Sequence, residues 1–157
     1  MKMVIFLLLL LGISKKDSFG QANKSVFFEL LGNGIGISAN FDSRITNSAK
    51  GFGFRAGIGL YPGTIFNAPF VTFPLGLNHL VGKGPHYLES GVGVTVIPGI
   101  KVFWNDEVRA KSVLFIPSAG YRYARKNKGF QGRIFVSPWI GESGVIFIGG
   151  LSAGFSF

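Results

Sequence analysis

Two histidines and one Glu-Ser pair are the residues of this sequence whose types could support catalysis. His79 and His86 stand on either side of the turn sequence GKGP, and Ser90 directly follows Glu89. A serine hydrolase needs a nucleophile, a histidine base and an acid that orients the histidine. Ser90 would approach His79 across a hairpin, so a lipid hydrolase is one functional alternative. No hydrolase motif surrounds these residues, and we predict no catalytic residues.

The same residues make a poor metal site. Two histidines with one nearby carboxylate lack further ligands, and the sequence has no cysteine. The stretch GNGIG at Gly32 to Gly36 resembles a phosphate-binding loop only superficially, because no helix follows it and its spacing differs. It is interpreted as a turn. We therefore expect no metal and no cofactor.

The elements that carry these residues are β-strands. In GFGFRAGIGLY, residues 51–61, apolar side chains occupy every second position, and glycines, Arg55 and Tyr61 lie between them. No stretch after the first 22 residues has a convincing helical period. Turn signals divide the chain into eight predicted strands, at residues 25–32, 35–45, 51–61, 70–82, 86–98, 112–125, 129–140 and 147–157. Residues 25–45 would alternatively form one long bent strand, but closed bacterial outer-membrane barrels have an even number of strands, which favours eight.

The composition is too apolar for an ordinary water-soluble domain. Hydrophobic residues make up 47% and charged residues 15% of the chain, against ~25% charged residues in typical soluble domains. The longest apolar run, Met3 to Ile13, is too short for the ~20 residues of a transmembrane helix. With Lys2 before it and small residues after it, this run predicts a signal peptide over residues 1–22. Residues 23–157 are then an exported β-barrel domain.

The strand face opposite the apolar side chains indicates which face lies inside the barrel and which lies outside. This face is rich in glycine, which weakens a solvent-exposed strand but makes room inside a narrow barrel. The sequence therefore predicts an all-β fold: a closed, eight-stranded, antiparallel up-and-down transmembrane β-barrel with its apolar face toward lipid. A soluble exported barrel that binds an apolar ligand is the alternative.

Charged residues fall on the inward face of the predicted strands. They are Glu29, Arg55, Glu89, Arg122 and Arg133. Because unpaired charges are costly away from water, opposite signs should meet. We predict a lumen charge network in which the two glutamates share the three arginines, fill the barrel and leave no large pore.

The connections between strands differ on the two rims. On the side of the chain ends, the turns TNSAK, GKGP and RKNKG are short and carry lysine and arginine. Short turns are typical of the periplasmic rim of an outer-membrane barrel. Tyr121 and Tyr123 point outward near this rim and are predicted interface aromatics. The longest opposite loop contains Trp104 to Glu107, interpreted as an ordinary exposed loop. The net charge of +9 comes without a nucleic-acid-binding motif, so outer-membrane lipids are the expected partners and nucleic acid is not.

Together, the signal peptide, the eight alternating strands, the glycine-rich inward faces, GYRY at Gly120 to Tyr123 and the terminal GLSAGFSF resemble small outer-membrane β-barrel proteins of the Bacteroidota type, with the architecture of OmpA/OmpX-like barrels. The resemblance covers nearly all of the mature chain. It implies that Leu151, Phe155 and Phe157 form an assembly signal read by the barrel assembly machinery, although this strand lacks the tyrosine common there. We expect a non-enzymatic, monomeric outer-membrane protein with a structural or interaction role.

Overall fold

The structure is a computed structural model and describes residues 22–63, 69–99, 112–125, 127–141 and 144–157. The predicted signal peptide lies outside the described residues except for Ala22, and the predicted loop from Trp104 to Glu107 lies outside them entirely. Within the described ranges, no helix is long and apolar enough to span a membrane.

Eight antiparallel strands form a closed barrel in the order of the chain, which confirms the predicted fold class. The strands are β1 (Lys24–Leu30), β2 (Ile37–Arg44), β3 (Gly51–Tyr61), β4 (Phe70–Lys83), β5 (His86–Ile97), β6 (Ser112–Ala124), β7 (Gly129–Gly141) and β8 (Gly144–Ser156). Closure comes from pairing of β1 with β8, from Ser25 opposite Ser156 to Leu30 opposite Leu151. The backbone of Phe157 extends this pairing by exchanging hydrogen bonds with Lys24.

Residues 25–45 form two strands, as the even strand number favoured. The connection between them, however, is not the tight turn that GNG predicted. Residues 31–36 form a loop with a short 3-10 turn at Gly32–Gly34, and this loop folds into the barrel. We call residues 31–36 the plug segment. The predicted first strand therefore ended too late, because Leu31 and Gly32 belong to the plug segment.

The strands expose apolar side chains on the outside and bury polar ones in the lumen. On β3, Phe52 is 61% and Phe54 45% exposed, whereas Arg55, on the opposite face of the strand, is 4% exposed. At outward positions of the eight strands, the only lysines are the terminal residues Lys24 and Lys83, and no Asp, Glu or Arg occurs. Alternation with period two thus separates an apolar outer wall from a polar interior.

Buried side chains of the described residues occupy the lumen near both rims. Near the rim with the chain ends, Ala49, Leu80, Tyr87 and Ala124 form a small buried cluster. At the opposite strand ends lies a larger apolar cluster of Ile35, Tyr61, Phe70, Ile97, Ile116 and Trp139. Charged residues and the plug segment occupy the space between the clusters. An eight-stranded barrel is only wide enough for side chains to fill in this way.

Candidate functional site

Glu89 is the central carboxylate of the lumen. Arg122 binds it with two hydrogen bonds, from Nε to Oε2 at 2.7 Å and from Nη2 to Oε1 at 2.9 Å. Arg55 donates from Nη2 to Oε1 at 2.9 Å. Nε of Arg133 lies 3.0 Å from Oε2 without the alignment of a hydrogen bond, so this contact is coulombic. Three arginines from β3, β6 and β7 thus share one glutamate of β5.

Glu29 is the second carboxylate and is fully buried. It accepts hydrogen bonds from Nη1 of Arg55 at 3.2 Å and from Nη1 of Arg133 at 3.4 Å. Its other oxygen, Oε1, accepts the backbone N–H of Asn33 at 3.0 Å. Glu29 therefore connects the arginines to the plug segment. The structure brings together all five residues named for the lumen network.

Three further residues belong to the network and were missed by the sequence interpretation. Asp42 accepts from Nη2 of Arg122 at 3.1 Å and pairs with Arg44 on its own strand. Asn78 donates to Asp42 at 2.5 Å and to Glu89 at 3.3 Å, and accepts from Arg44. The signal was present, because Asp42 and Arg44 stand two residues apart on one face of β2.

Aromatic rings complete the surroundings of the arginines. The guanidinium carbon of Arg133 lies 5.1 Å from the ring centre of Phe27 and 4.8 Å from that of Phe135. The guanidinium carbon of Arg55 lies 5.3 Å from the same Phe27 ring. Such cation–π contacts strengthen when the cation is removed from water. The two rings therefore help to offset the cost of burying both guanidinium groups.

The ion pairs of this network offset the desolvation cost of the buried charges. Desolvating an ion costs several kcal/mol, and a partner within hydrogen-bond distance is needed to offset it. All three carboxylates of the described residues, Glu29, Asp42 and Glu89, lie in this network and are buried. Each contacts at least two arginines or an arginine and a backbone donor. The network can therefore hold the strands around it in fixed positions, because every strand from β1 to β7 contributes a member.

The plug segment is held above the network by strands distant in sequence. The hydroxyl of Thr72 donates to the carbonyl of Gly34 at 2.8 Å, and that of Thr95 donates to the carbonyl of Asn33 at 2.5 Å. The segment closes on itself through the N–H of Leu31, which donates to the carbonyl of Gly36 at 2.6 Å. Its residues Gly32 to Gly36 are all buried.

The backbone of the plug segment adopts unusual conformations. Leu31 and Ile35 have φ angles of 62° and 69°, which are rare for bulky residues and costly by about 1–3 kcal/mol each. Gly32 also has a positive φ, and a Cβ there would overlap the ring of Phe135. The side chain of Ile35 compensates by filling the apolar cluster, where it is 1% exposed.

Inward glycines on other strands leave the room that the network and the plug segment occupy. A Cβ at Gly53 would overlap the guanidinium of Arg44, and one at Gly93 would crowd the amide of Asn33. A Cβ at Gly59 would crowd the carbonyl of Gly34. The glycine-rich inward faces thus have a specific spatial role.

The predicted interface aromatics lie outside the lumen. Tyr121 is exposed and Tyr123 is half-buried. Both lie beside His86, whose Nδ1 is 2.5 Å from the hydroxyl of Tyr121 and whose ring is edge-on to Tyr123. Of the predicted assembly signal, Leu151, Phe155 and Phe157 are all exposed on the outer face.

The residues of the hydrolase alternative do not converge. His79 and Ser90 are cross-strand neighbours on the outer face, where His79 packs against the ring of Phe52 at 4.4 Å. Glu89 points into the lumen, on the other side of the wall. Among the described residues, no group of three or more His, Cys, Asp or Glu side chains could hold a metal ion.

Comparison with known proteins bears on the fold. No protein-family model matches the sequence, and no curated protein matches it. The structure is similar to the crystal structure of the N-terminal β-barrel domain of Pseudomonas aeruginosa OprF, with a TM-score of 0.58 and 16% sequence identity over 88% of this chain and 99% of that one. This likeness confirms the eight-stranded β-barrel fold.

Proposed function

We propose that this chain is an integral outer-membrane protein with a structural or interaction role and a lumen closed by its own residues. The observation that carries the proposal is the plug segment, which lies inside the barrel on a buried network of four arginines and three carboxylates. A barrel that conducted large solutes would need this space open. The residues of the ion network instead connect seven of the eight strands, as expected of a rigid membrane-embedded scaffold.

The outer wall supports residence in a membrane. Soluble monomers rarely expose a continuous apolar patch above ~600 Å², whereas all eight strands of this barrel expose large apolar side chains. The polar lumen argues against the soluble carrier, because an apolar ligand would have to displace buried ion pairs. The separation of Glu89 from Ser90 and His79 argues against the hydrolase, and we propose a non-enzymatic role.

Several finer features belong to the proposal. Residues 1–22 direct export, and the rim with the short turns faces the periplasm. Leu151, Phe155 and Phe157 are read by the barrel assembly machinery, Tyr121 and Tyr123 lie at the membrane interface, and the protein is a monomer. The Bacteroidota type rests on the sequence resemblance described above.

Membrane residence is tested by extraction of isolated outer membranes. We expect the protein to stay with the membranes in alkaline carbonate and to leave them only with detergent. Release without detergent would contradict an integral barrel and favour the soluble carrier.

Closure of the lumen is tested by conductance in planar lipid bilayers, with an open porin as the positive control. We expect no large, stable conductance from the wild-type protein. A matched variant lacking residues 32–35 tests the contribution of the plug segment, and we expect it to conduct more often. A stable large pore in the wild-type protein would overturn the proposal.

A further inference from the structure

A groove of about 790 Å³ crosses the outer wall of the barrel over β8, β1, β2 and β3. Phe28 stands in the middle of it, and its two cross-strand neighbours are alanines, Ala39 on β2 and Ala153 on β8. Larger side chains, including Phe41 and Phe155, form its border. The small residues beside Phe28 leave a depression between large apolar side chains, and every outward side chain that lines it is apolar.

Basic residues surround the end of this groove that lies at the rim with the chain ends. Lys24 stands two residues before Val26 on β1, and Lys128 stands two residues before Phe130, which begins the outward face of β7. Both Val26 and Phe130 line the groove. Because side chains two residues apart in a strand share a face, Lys24 extends the lining toward the rim, and Lys128 is exposed in the turn at the same rim. The side chain of Arg125 lies beside them, against Gly129.

No acidic side chain balances these bases on the described outer surface. The carboxylate side chains of the described residues are all inside the lumen, whereas Lys24, Arg125 and Lys128 are exposed. The groove thus combines an apolar depression with an end that carries basic side chains. A second copy of this chain would bring the same positive charges to the contact, so it is a poor occupant. An amphiphile with an anionic head and a hydrocarbon tail matches both parts.

We propose that the groove binds an anionic phospholipid, with one acyl chain lying over Ala39 and Ala153 and the phosphate at the basic rim, near Lys24 and Lys128. This inference rests on the proposed function, because it requires the outer wall to face lipid. It goes further by naming one place on the wall, one lipid class and the residues that select it. A lipid bound at this site would cover the paired strands β1 and β8, which close the barrel.

The test uses the full-length mature protein in vesicles of phosphatidylcholine that contain spin-labelled phosphatidylglycerol or spin-labelled phosphatidylcholine. Electron paramagnetic resonance measures the fraction of each probe that the protein immobilises. We expect the wild-type protein to immobilise phosphatidylglycerol preferentially. In the double variant Lys24→Gln/Lys128→Gln, affinity for phosphatidylglycerol at the site should fall about twenty-fold, because each lysine near an anionic lipid contributes roughly a factor of five.

Matched variants separate this site from general effects. Lys83→Gln removes a rim charge from β4, outside the groove, and should leave the preference unchanged. Ala153→Leu fills the groove and should release the lipid, whereas Ala119→Leu on β6 alters an exposed alanine elsewhere on the wall and should not. Equal effects of Lys83→Gln and the double variant, or no effect of Ala153→Leu, would overturn the site.

The outcomes also distinguish this inference from the proposed function. A protein that fails to insert into the vesicles contradicts the membrane barrel itself. A protein that inserts but shows no preference for phosphatidylglycerol contradicts the lipid site alone. If Ala153→Leu instead converts a dimer into a monomer in size-exclusion chromatography, a second copy occupies the groove and the lipid assignment is wrong.

Discussion

At the scale of single residues, Glu89 is the carboxylate of the ion network that contacts the most arginines. It forms ion pairs with Arg55, Arg122 and Arg133, and its Oε1 also accepts a hydrogen bond from Asn78. Removing a charge from such a group leaves the partners buried with too few acceptors. Loss of one member of a buried ion pair costs about 3–5 kcal/mol, much more than the pair itself contributes.

We therefore predict that Glu89→Gln lowers the free energy of unfolding by about 3 kcal/mol or more, because a side-chain amide replaces a carboxylate shared by three arginines. Urea unfolding in a fixed detergent, followed by heat-modifiable gel mobility, measures the change. Ser90→Ala, the next residue on the outer face of the same strand, is the control and should change little. An unchanged unfolding midpoint in Glu89→Gln would show that the network does not support the fold.

The network was partly predictable from sequence because charge on an inward strand face must be paired. That rule identified Glu29, Glu89 and the arginines of β3, β6 and β7. It also applies to Asp42 and Arg44, whose strand was assigned but whose faces were not compared. The contacts of Asn78 were not accessible in this way, since an uncharged amide carries no requirement for a particular partner.

At the scale of elements, the plug segment departs most from the sequence interpretation. GNG favours a turn through local backbone preference, and local preference carries no information on whether a loop points outward or inward. The inward direction depends on space left by Gly59 and Gly93 and on donors from Thr72 and Thr95. These residues lie on three later strands, so no local reading of residues 31–36 reveals the result.

A methyl group at Gly36 should destabilise the plug segment. A Cβ there would overlap the backbone carbonyl of Leu60, which cannot rotate away as a side chain would. We expect Gly36→Ala to lower stability by about 1–3 kcal/mol, the usual cost of overpacking. Faster amide exchange at Asn33 and Ile35 should accompany the loss.

Gly149→Ala provides the control for this prediction, because the nearest atom to a Cβ there lies 3.9 Å away. Urea unfolding and hydrogen exchange on both variants make the comparison. If the two variants behave alike, the plug segment is not packed against β3 as described.

The terminal strand carries a further prediction at this scale. Phe147 and Phe157 are both exposed phenylalanines, one near the start of β8 and one directly after it. If the end of the strand is an assembly signal, Phe157→Ala should lower the amount of folded protein in outer membranes several-fold, whereas Phe147→Ala should not. Heat-modifiable mobility of membrane fractions measures the folded amount. Equal yields of the two variants would remove the special role of Phe157.

At the scale of the whole molecule, the barrel separates an apolar outer surface from a polar interior. Its eight strands and their faces were predictable because alternation with period two is strong in most of the chain. In β3 and β5, for example, glycines and charges occupy one face with few exceptions. The prediction of a closed barrel rested on the even number of strands and not on any identified pair of contacting residues. The pairing of β1 with β8 became specific only in the structure.

If the barrel resides in a membrane as proposed, a charge on its outer face should cost more free energy the deeper it lies in the bilayer. Leu77 lies in the middle of β4, and Val81 on the same face lies two residues before the rim residue Lys83. We expect Leu77→Arg to cost about 2–4 kcal/mol and Val81→Arg about 0–1 kcal/mol, because the penalty falls from the bilayer midplane toward its surface. Unfolding in lipid vesicles measures both. Equal, small effects would indicate that water reaches this face.

The hydrogen bonds of the plug segment also impose an order of events on folding. The donors Thr72 and Thr95 lie 38 and 62 residues after their acceptors. The carbonyls of Gly34 and Asn33 therefore wait for β4 and β5, although their own hairpin is the first to be made. Contacts of such long range form late and slow the folding of a chain. We therefore expect the earliest part of the barrel to be synthesised to be among the last to reach its native conformation.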